Sequence, residues 1–443
     1  MFTEQFENSF PVIADDNHIR ELRRRLHQEL IENIENESSD FAQDPQLLKQ
    51  RIKKLFNRYR KTHDSEEQQL LDKISNEIIQ EINGLGPLAP LMMQKDVNDI
   101  LVNAADDIWV ERNGQLEKTD ICFDDEPHLR RLLDRIIANQ GKSLDVNSPM
   151  VDARLNDGSR LHAVIPPLCN KGAIISIRRF HKNALNEAEL LKQGVLNHAM
   201  LELLKMAVKS GINIVIAGGS AAGKTSLLNF LSGYIAKNER IITVEETAEL
   251  QLQHPHVIPL ESRLSNLEGK GEINLRTLVR TALRMRADRI MVGEVRGEEV
   301  YDMLQAMNTG HDGSMTTLHA NSAQDVLQRL ETLALLSSSN TPLPSIQRMI
   351  GSAIQLIVQL TRFHDGSRRI VSITEVTHQN GQLSSHQLFS FNLDEVTRAG
   401  KINGQHVFTS KPINLLKTIN AKGYSTEQLA KYLSTTPGGA THV

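Results

Sequence analysis

Cysteine is almost missing: Cys122 and Cys169 are the only two in 443 residues, they lie far apart, and neither belongs to a CxxC pair. That excludes a disulfide framework and a four-cysteine zinc module and leaves both as small buried hydrophobes. No run of about 18 apolar residues occurs, the length a spanning helix needs, and the start, MFTEQFENSFPVIADD, is acidic with no apolar signal-peptide core. The expectation is a protein made and kept in the cytoplasm. An excess of one charge is lacking too, since 50 lysines and arginines stand against 54 aspartates and glutamates for a formal net charge of −4. Without a concentrated basic face or basic runs interleaved with aromatics, a nucleic-acid partner is not expected. What is present, 40% hydrophobic and 23% charged residues, suits a globular chain of two or three domains.

Residues 1–80 are charged and helical in period, with apolar positions at Ile19, Leu22, Leu26 and Leu30, then Leu48, Ile52, Leu55 and Tyr59, then Leu71, Ile74, Ile78 and Ile82. Three amphipathic helices are predicted, either a docking element mobile relative to the rest or a packing element of an assembly. From GLGPLAPL (84–91) the texture changes to short strands and helices, and residues 81–182 read as a small mixed α/β domain. DIWVERNGQLEKT carries Asn113-Gly114 between two alternating runs, a type I′ hairpin signal, with Trp109 expected in the core. PHLRRLLDRIIANQ is an amphipathic helix and AIISIRRF (173–180) a closing strand; 183–196 read as a linker. Residues 197–443 form the third region, opening with the helix HAMLELLKMAVKSG and the β-rich INIVIAGG.

GGSAAGKT (218–225) follows that strand and precedes a helix with an apolar stripe at Leu227, Leu228, Leu231, Tyr234 and Ile235. It matches G-x-x-x-x-G-K-[ST], so Gly218, Gly219, Ser220, Ala221, Ala222, Gly223, Lys224, Thr225 and Ser226 form the candidate phosphate loop. Its glycines let backbone N–H groups face a phosphate at a helix N-terminus, Lys224 neutralises the outer phosphates, and the Thr225 hydroxyl takes one magnesium position. Two apolar runs then end in acids: RIITVEETAEL at Glu245-Glu246, and RIMVGEVRG at Glu294, with Gly293 where an aspartate is more usual. Acids at strand C-termini beside a phosphate loop point to metal and water chemistry, with Glu245 or Glu246 near the metal and Glu294 on water. GHDGSMTTLHANS ends another such run at His319, a candidate sensor of the terminal phosphate, and His311 stays open. LRTLVRTALRMRADR sets Arg276, Arg280 and Arg284 on one predicted helix face, either solvated, at a subunit contact or catalytic. DARLNDGSR and SIRRF offer Arg154, Arg160, Arg178 and Arg179 as cations from the second domain.

Taken in order, the phosphate loop, acidic box, GEVRG strand and histidine box resemble the ATPases of type II and type IV secretion systems. GLGPLAPL, VERNG, SPMVDARLNDGSRLHAVIPP, SIRRF, EGKGEINLRTLVRTALRMRADRIMVGEVRGEE and MLQAMNTGHDGSMTTLHANS are similar to the branch that powers Tad/Flp pili, the CpaF-like motors. The likeness covers about residues 80–360. It implies a RecA-like P-loop ATPase domain preceded by a small α/β domain, a homohexameric ring, and ATP with Mg held between the domains. Glu294 would be the catalytic glutamate, with Glu246 beside it, and Arg160 and Arg179 would reach the nucleotide. Polytopic inner-membrane platform proteins would be the partners, the motor lying peripherally on the cytoplasmic face. The box here reads Glu-Glu where the family usually has Glu-Asp. A type IV secretion ATPase moving protein or DNA, a RecA-like DNA motor and a non-hydrolysing ATP-gated scaffold are the other readings.

Overall fold

The computed structural model describes residues 84–438 apart from 113, 180–184, 264–270, 339, 380–381, 398–399 and 410–411. The three helices expected in residues 1–82, the EGK of the EGKG stretch and Asn113 lie outside the described residues. The chain divides between residues 181 and 182 into two compact units.

In the first unit a 3-10 turn at Gly86–Leu88 leads into α1 (Ala89–Met93). The strands β1 (Val97–Ala104), β2 (Asp107–Arg112), β3 (Gln115–Lys118), β4 (Met150–Arg154), β5 (Arg160–Val164) and β6 (Ile174–Arg178) form an antiparallel sheet in the order β3-β2-β1-β6-β5-β4. Strand alternation puts Ile100, Val102, Ile108, Val110, Leu161, Ala163, Ile175 and Ile177 in one core with helix α2 (Glu126–Ala138). That helix starts where Asp125 accepts a 2.7 Å bond from the His128 amide, and Pro127 sits in its first turn. The predicted hairpin is there, Arg112 pairing with Gln115 across two residues and Gly114 at φ +91°. Trp109 departs from expectation. It alternates with buried Ile108 and Val110, so it lies half-buried on the opposite sheet face, its indole N–H donating to Asp107 at 2.9 Å. Cys122 departs as well, being exposed, whereas Cys169 is buried.

The second unit carries a nine-stranded sheet ordered β15-β14-β13-β12-β7-β11-β10-β8-β9. Six strands are parallel: β7 (Ile214–Gly218), β8 (Ile241–Glu245), β9 (Val257–Glu261), β10 (Arg289–Val292), β11 (Met315–Leu318) and β12 (Leu356–Arg362). The others, β13 (Arg368–Gln379), β14 (Gln382–Val396) and β15 (Ile402–Phe408), extend it as an antiparallel meander. Every residue of β7, β8, β10 and β11 is buried, as parallel strands covered on both faces must be. One face packs α4 (His198–Lys209) and α5 (Lys224–Ser232) with the C-terminal α10 (Leu415–Ala421) and α11 (Glu427–Thr435). The other packs α6 (Leu275–Ala282), α7 (Glu299–Asn308), α8 (Ala323–Ser337) and α9 (Leu343–Ala353). The strand that feeds the phosphate loop is thus separated from acid-bearing β10 by β11, the RecA-like arrangement that the resemblance implies.

The segment 183–196 is no linker over its described part. It forms α3 (Glu187–Lys192), capped by Asn186, and Leu190, Val195 and Leu196 are buried in the second unit's core. Glu187 adds a 2.7 Å ion pair to Lys205 and accepts the Tyr234 hydroxyl at 2.7 Å. α6 likewise ends at Ala282, and Arg286 sits at φ +52°, so Arg284 lies beyond the helix that carries Arg276 and Arg280.

Candidate active site

The loop between β7 and α5 is shaped by close approaches. A Cβ on Gly218 would stand 2.5 Å from the Leu360 carbonyl oxygen on neighbouring β12, and Gly223 enters the helix at φ +95°. Ala221, a residue with a Cβ, is held in the left-handed region at φ +56°. Such strain costs of order 1–2 kcal/mol and concentrates at functional sites. Arg368 of β13 steadies the turn, its Nε donating to the Ala221 carbonyl at 3.1 Å. Gly219, Ser220 and Ala221 are exposed at the tip, while Ala222 packs inward. Thr225 and Ser226 follow in the first turn of α5, Thr225 half-buried and Ser226 exposed.

Lys224 is buried, and burial draws its pKa down from the ordinary lysine value. Its Nζ donates to the carbonyls of Gly218 at 3.1 Å and Gly219 at 2.9 Å and lies 3.3 to 3.4 Å from the His319 ring nitrogens. His319 Nε2 is 2.8 Å from Glu294 Oε1. Burial, then the Lys224 charge, lowers the His319 pKa, which favours the neutral ring between Lys224 and Glu294. Three residues from β7–α5, β10 and β11 thereby meet at the C-terminal edge of the parallel strands, the place where open α/β sheets hold ligands. A cleft of about 590 Å³ opens from Gly218, Gly219 and His319 along Asp325, Gln328 and Arg329 of α8.

The acidic box divides. Glu245 is only 4% exposed, its Oε1 accepts the amides of Glu249 and Leu250 at 2.9 Å each, and burial pushes its pKa up to about 7 despite those bonds. Gly293 is what admits it, since a Cβ there would lie 2.8 Å from Glu245 Cγ. The expectation that either acid serves the metal is therefore corrected: Glu245 is spent on the loop after β8, and Glu246 is the member that presents its carboxylate to solvent. Thr225 and Glu246 each offer an oxygen donor of the kind magnesium accepts alongside phosphates and water. Arg296, which the sequence reading passed over, spans Glu246 at 3.0 Å and Glu294 at 2.5 Å. Arg276 pairs with Glu298 at 2.9 Å and Asp302 at 2.8 Å, away from this array. His311 Nδ1 lies 3.3 Å from the Ala306 carbonyl, at the end of α7.

A family model described as "Type II/IV secretion system protein" matches residues 81–400. The chain belongs to this family. Rv3659c of Mycobacterium tuberculosis, named for conjugal transfer, is 38% identical over 311 residues, which cover 69% of this chain and 88% of that one. The type IV secretion system protein PtlH homolog of Bordetella bronchiseptica is 31% identical over 324 residues, covering 65% and 93%. Among solved structures, the pilus retraction motor PilT with bound ADP aligns at 16% identity and a TM-score of 0.49, covering 79% of this chain and 89% of that one.

For a secretion-system family member, the arginines of the first unit need re-sorting. The Arg179 guanidinium donates to the carbonyls of Met92 at 2.6 Å, Val97 at 2.9 Å and Gln94, and burial lowers its pKa. Expected at the nucleotide, it instead ties α1 and β1 to the end of β6. Arg160 faces Arg154 on one side and Arg178 on the other in strand register, and Arg178 continues the row to Asp99 at 3.2 Å. Of the residues missed by sequence reasoning, Arg296 stood in plain view inside GEVRG, two residues from Glu294, whereas Arg368 had no motif to betray it, because it reaches Ala221 from 147 residues away.

Proposed function

We propose that this chain hydrolyses ATP as one subunit of a homohexameric ring and that the work drives assembly of a Tad/Flp pilus, and its retraction where that occurs. The observation that carries the reading is the array Lys224–His319–Glu294 beside the strained loop, a phosphate-neutralising cation joined through a neutral imidazole to a carboxylate. In it Glu294 orients and deprotonates water, His319 reports the terminal phosphate, and the loop amides cradle the phosphates. Magnesium, held by Thr225 and Glu246, would neutralise charge on the outer phosphates when bound. Arg160, in its row with Arg154 and Arg178, supplies the remaining cationic help. The Tad/Flp assignment rests on the long stretches from GLGPLAPL to the histidine box, and it carries with it polytopic inner-membrane platform partners and a peripheral cytoplasmic location. No described helix is long and apolar enough to cross a membrane.

A second reading, export of protein or DNA by a type IV secretion system, is favoured by relatives named for conjugal transfer and type IV secretion. One chromosomal Glu294→Gln strain separates the two. Loss of surface pili with secretion intact supports the pilus motor, and the reverse supports the exporter. The hydrolytic reading itself is tested by purified full-length chain with ATP and magnesium, and absence of turnover refutes it.

A further inference from the structure

The array does not stop at Glu294. Arg296 has its Nη2 2.5 Å from Glu294 Oε2 and its Nη1 3.0 Å from Glu246 Oε2, so one planar guanidinium spans acids from the ends of two neighbouring strands, β10 and β8. With His319 on the other oxygen of Glu294, both oxygens of that carboxylate have a fixed neighbour. The Arg296 backbone is fixed in turn. Glu299, 5% exposed, accepts the amides of Arg296 at 2.6 Å and Gly297 at 2.9 Å through one oxygen. The strand end is stitched to β11, where Thr317 Oγ1 donates to the Gly293 carbonyl at 2.7 Å and the Val295 amide donates to Thr317 at 3.0 Å.

We propose that Arg296 is a positioning residue for Glu294: it fixes the rotation of the carboxylate so that one oxygen faces His319 and water, and it locks that carboxylate to the Glu246 strand end. An ordinary exposed ion pair contributes little and is exchanged easily. This one differs in geometry, because a five-donor fork meets two carboxylates at once from a backbone pinned by a buried acid. Lysine, a compact charge with rotatable donors, lacks the planar fork that fixes both partners in one geometry. The consequence is a link between the water-orienting group on β10 and the acid on β8 that we assign to magnesium, so that displacement of one strand end is felt at the other. The inference rests on Glu294 being the group that orients water.

The experiment is a double-mutant cycle in the full-length chain: wild type, Arg296→Gln, Arg296→Lys, Glu294→Gln and Arg296→Gln with Glu294→Gln. ATP turnover is measured alongside titration with a fluorescent ATP analogue and magnesium. Arg296→Gln should lower kcat by about a hundredfold, the scale of a misplaced catalytic group, with nucleotide affinity within about threefold of wild type. Arg296→Lys should recover part of that loss, and the double variant should be no slower than Glu294→Gln alone. A further loss in the double variant overturns the proposal by showing that Arg296 acts on the nucleotide itself. Unchanged kcat in Arg296→Gln, or a loss confined to nucleotide affinity, also overturns it. Should Arg296→Gln misfold, Arg296→Lys replaces it in the cycle, and full activity of that variant is disproof. Absence of turnover in the wild type would sink both this proposal and the ATPase reading, whereas normal wild-type turnover unmoved by Arg296→Gln sinks this one alone.

Discussion

Glycine at 293 and lysine at 224 illustrate how single residues set the site. Gly293 stands where a strand-end aspartate would be more usual, and its missing Cβ makes room for the Glu245 side chain. Gly293→Ala should push Glu245 off the Glu249 and Leu250 amides and cost about 1–3 kcal/mol as an overpacked, partly unsatisfied site. Urea unfolding at pH 7 checks it, and an unchanged midpoint would show that the loop after β8 yields without penalty. Lys224→Ala removes the cation that bonds to the loop carbonyls and lies against His319. Turnover should fall about a hundred- to a thousandfold while the unfolding midpoint stays near wild type. Glu294→Gln keeps the shape but loses the base, so magnesium–ATP should still bind while hydrolysis stalls and ATP-loaded protein accumulates. Lost affinity with a normal saturated rate would exchange the roles of Glu294 and Glu246. At this scale the phosphate loop, Glu294 and His319 were legible, since each closes an apolar run at a strand end. The fate of Glu245 was not, because the two acids of the box differ only in which way a strand end turns.

Among the elements, the parallel core strands announced themselves as short apolar runs, and α2 and α4 by their apolar stripes. α3 was read as a linker because its buried side chains, Leu190, Val195 and Leu196, are too few and unevenly spaced to show a period, while its attachment comes from Tyr234 and Lys205 far along the chain. The antiparallel meander β13–β15 drew no reading at all, its β14 being mostly exposed or half-buried. Yet it contains His406, 8% exposed, whose Nε2–H donates to the Ile370 carbonyl at 3.0 Å and whose pKa burial lowers to about 4. The unfolded chain, with an ordinary histidine pKa near 6.5, therefore takes up a proton that the folded meander refuses. Stability from this residue is complete above pH 6.5 and is lost as pH falls toward 4, by about 2 kcal/mol at pH 5. Urea midpoints at pH 7.5 and 5 should fall further for wild type than for His406→Gln, and parallel falls would show that the ring is hydrated.

For the whole molecule, the family match spans both units, yet the phosphate loop, the acidic box, Glu294 and His319 all lie in the second. If the Arg154–Arg160–Arg178 row completes the site, residues 182–443 alone, which keep α3 in the second unit, should bind ATP weakly and turn it over at least tenfold more slowly than the full chain. Full turnover by that fragment would move the cationic role to Arg329 or Arg296. Arg160→Ala in the full chain should reproduce most of the defect. Arg179→Ala should instead lower the stability of the first unit, because it strands the carbonyls of Met92, Gln94 and Val97.

The order of strands also governs how such a chain comes off the ribosome. β7, which ends in the phosphate loop, hydrogen-bonds to β11 and β12, and these begin only at Met315 and Leu356. Until residue 356 has emerged, the run IVIAG has at least one unpaired edge, and before residue 315 it has two. Contacts so distant in sequence are slow to close, and an apolar strand with bare edges is a template for aggregation. The nucleotide site is thus a late product of synthesis, absent from any nascent chain stopped before β12, and the interval is one in which a chaperone has a defined segment to protect.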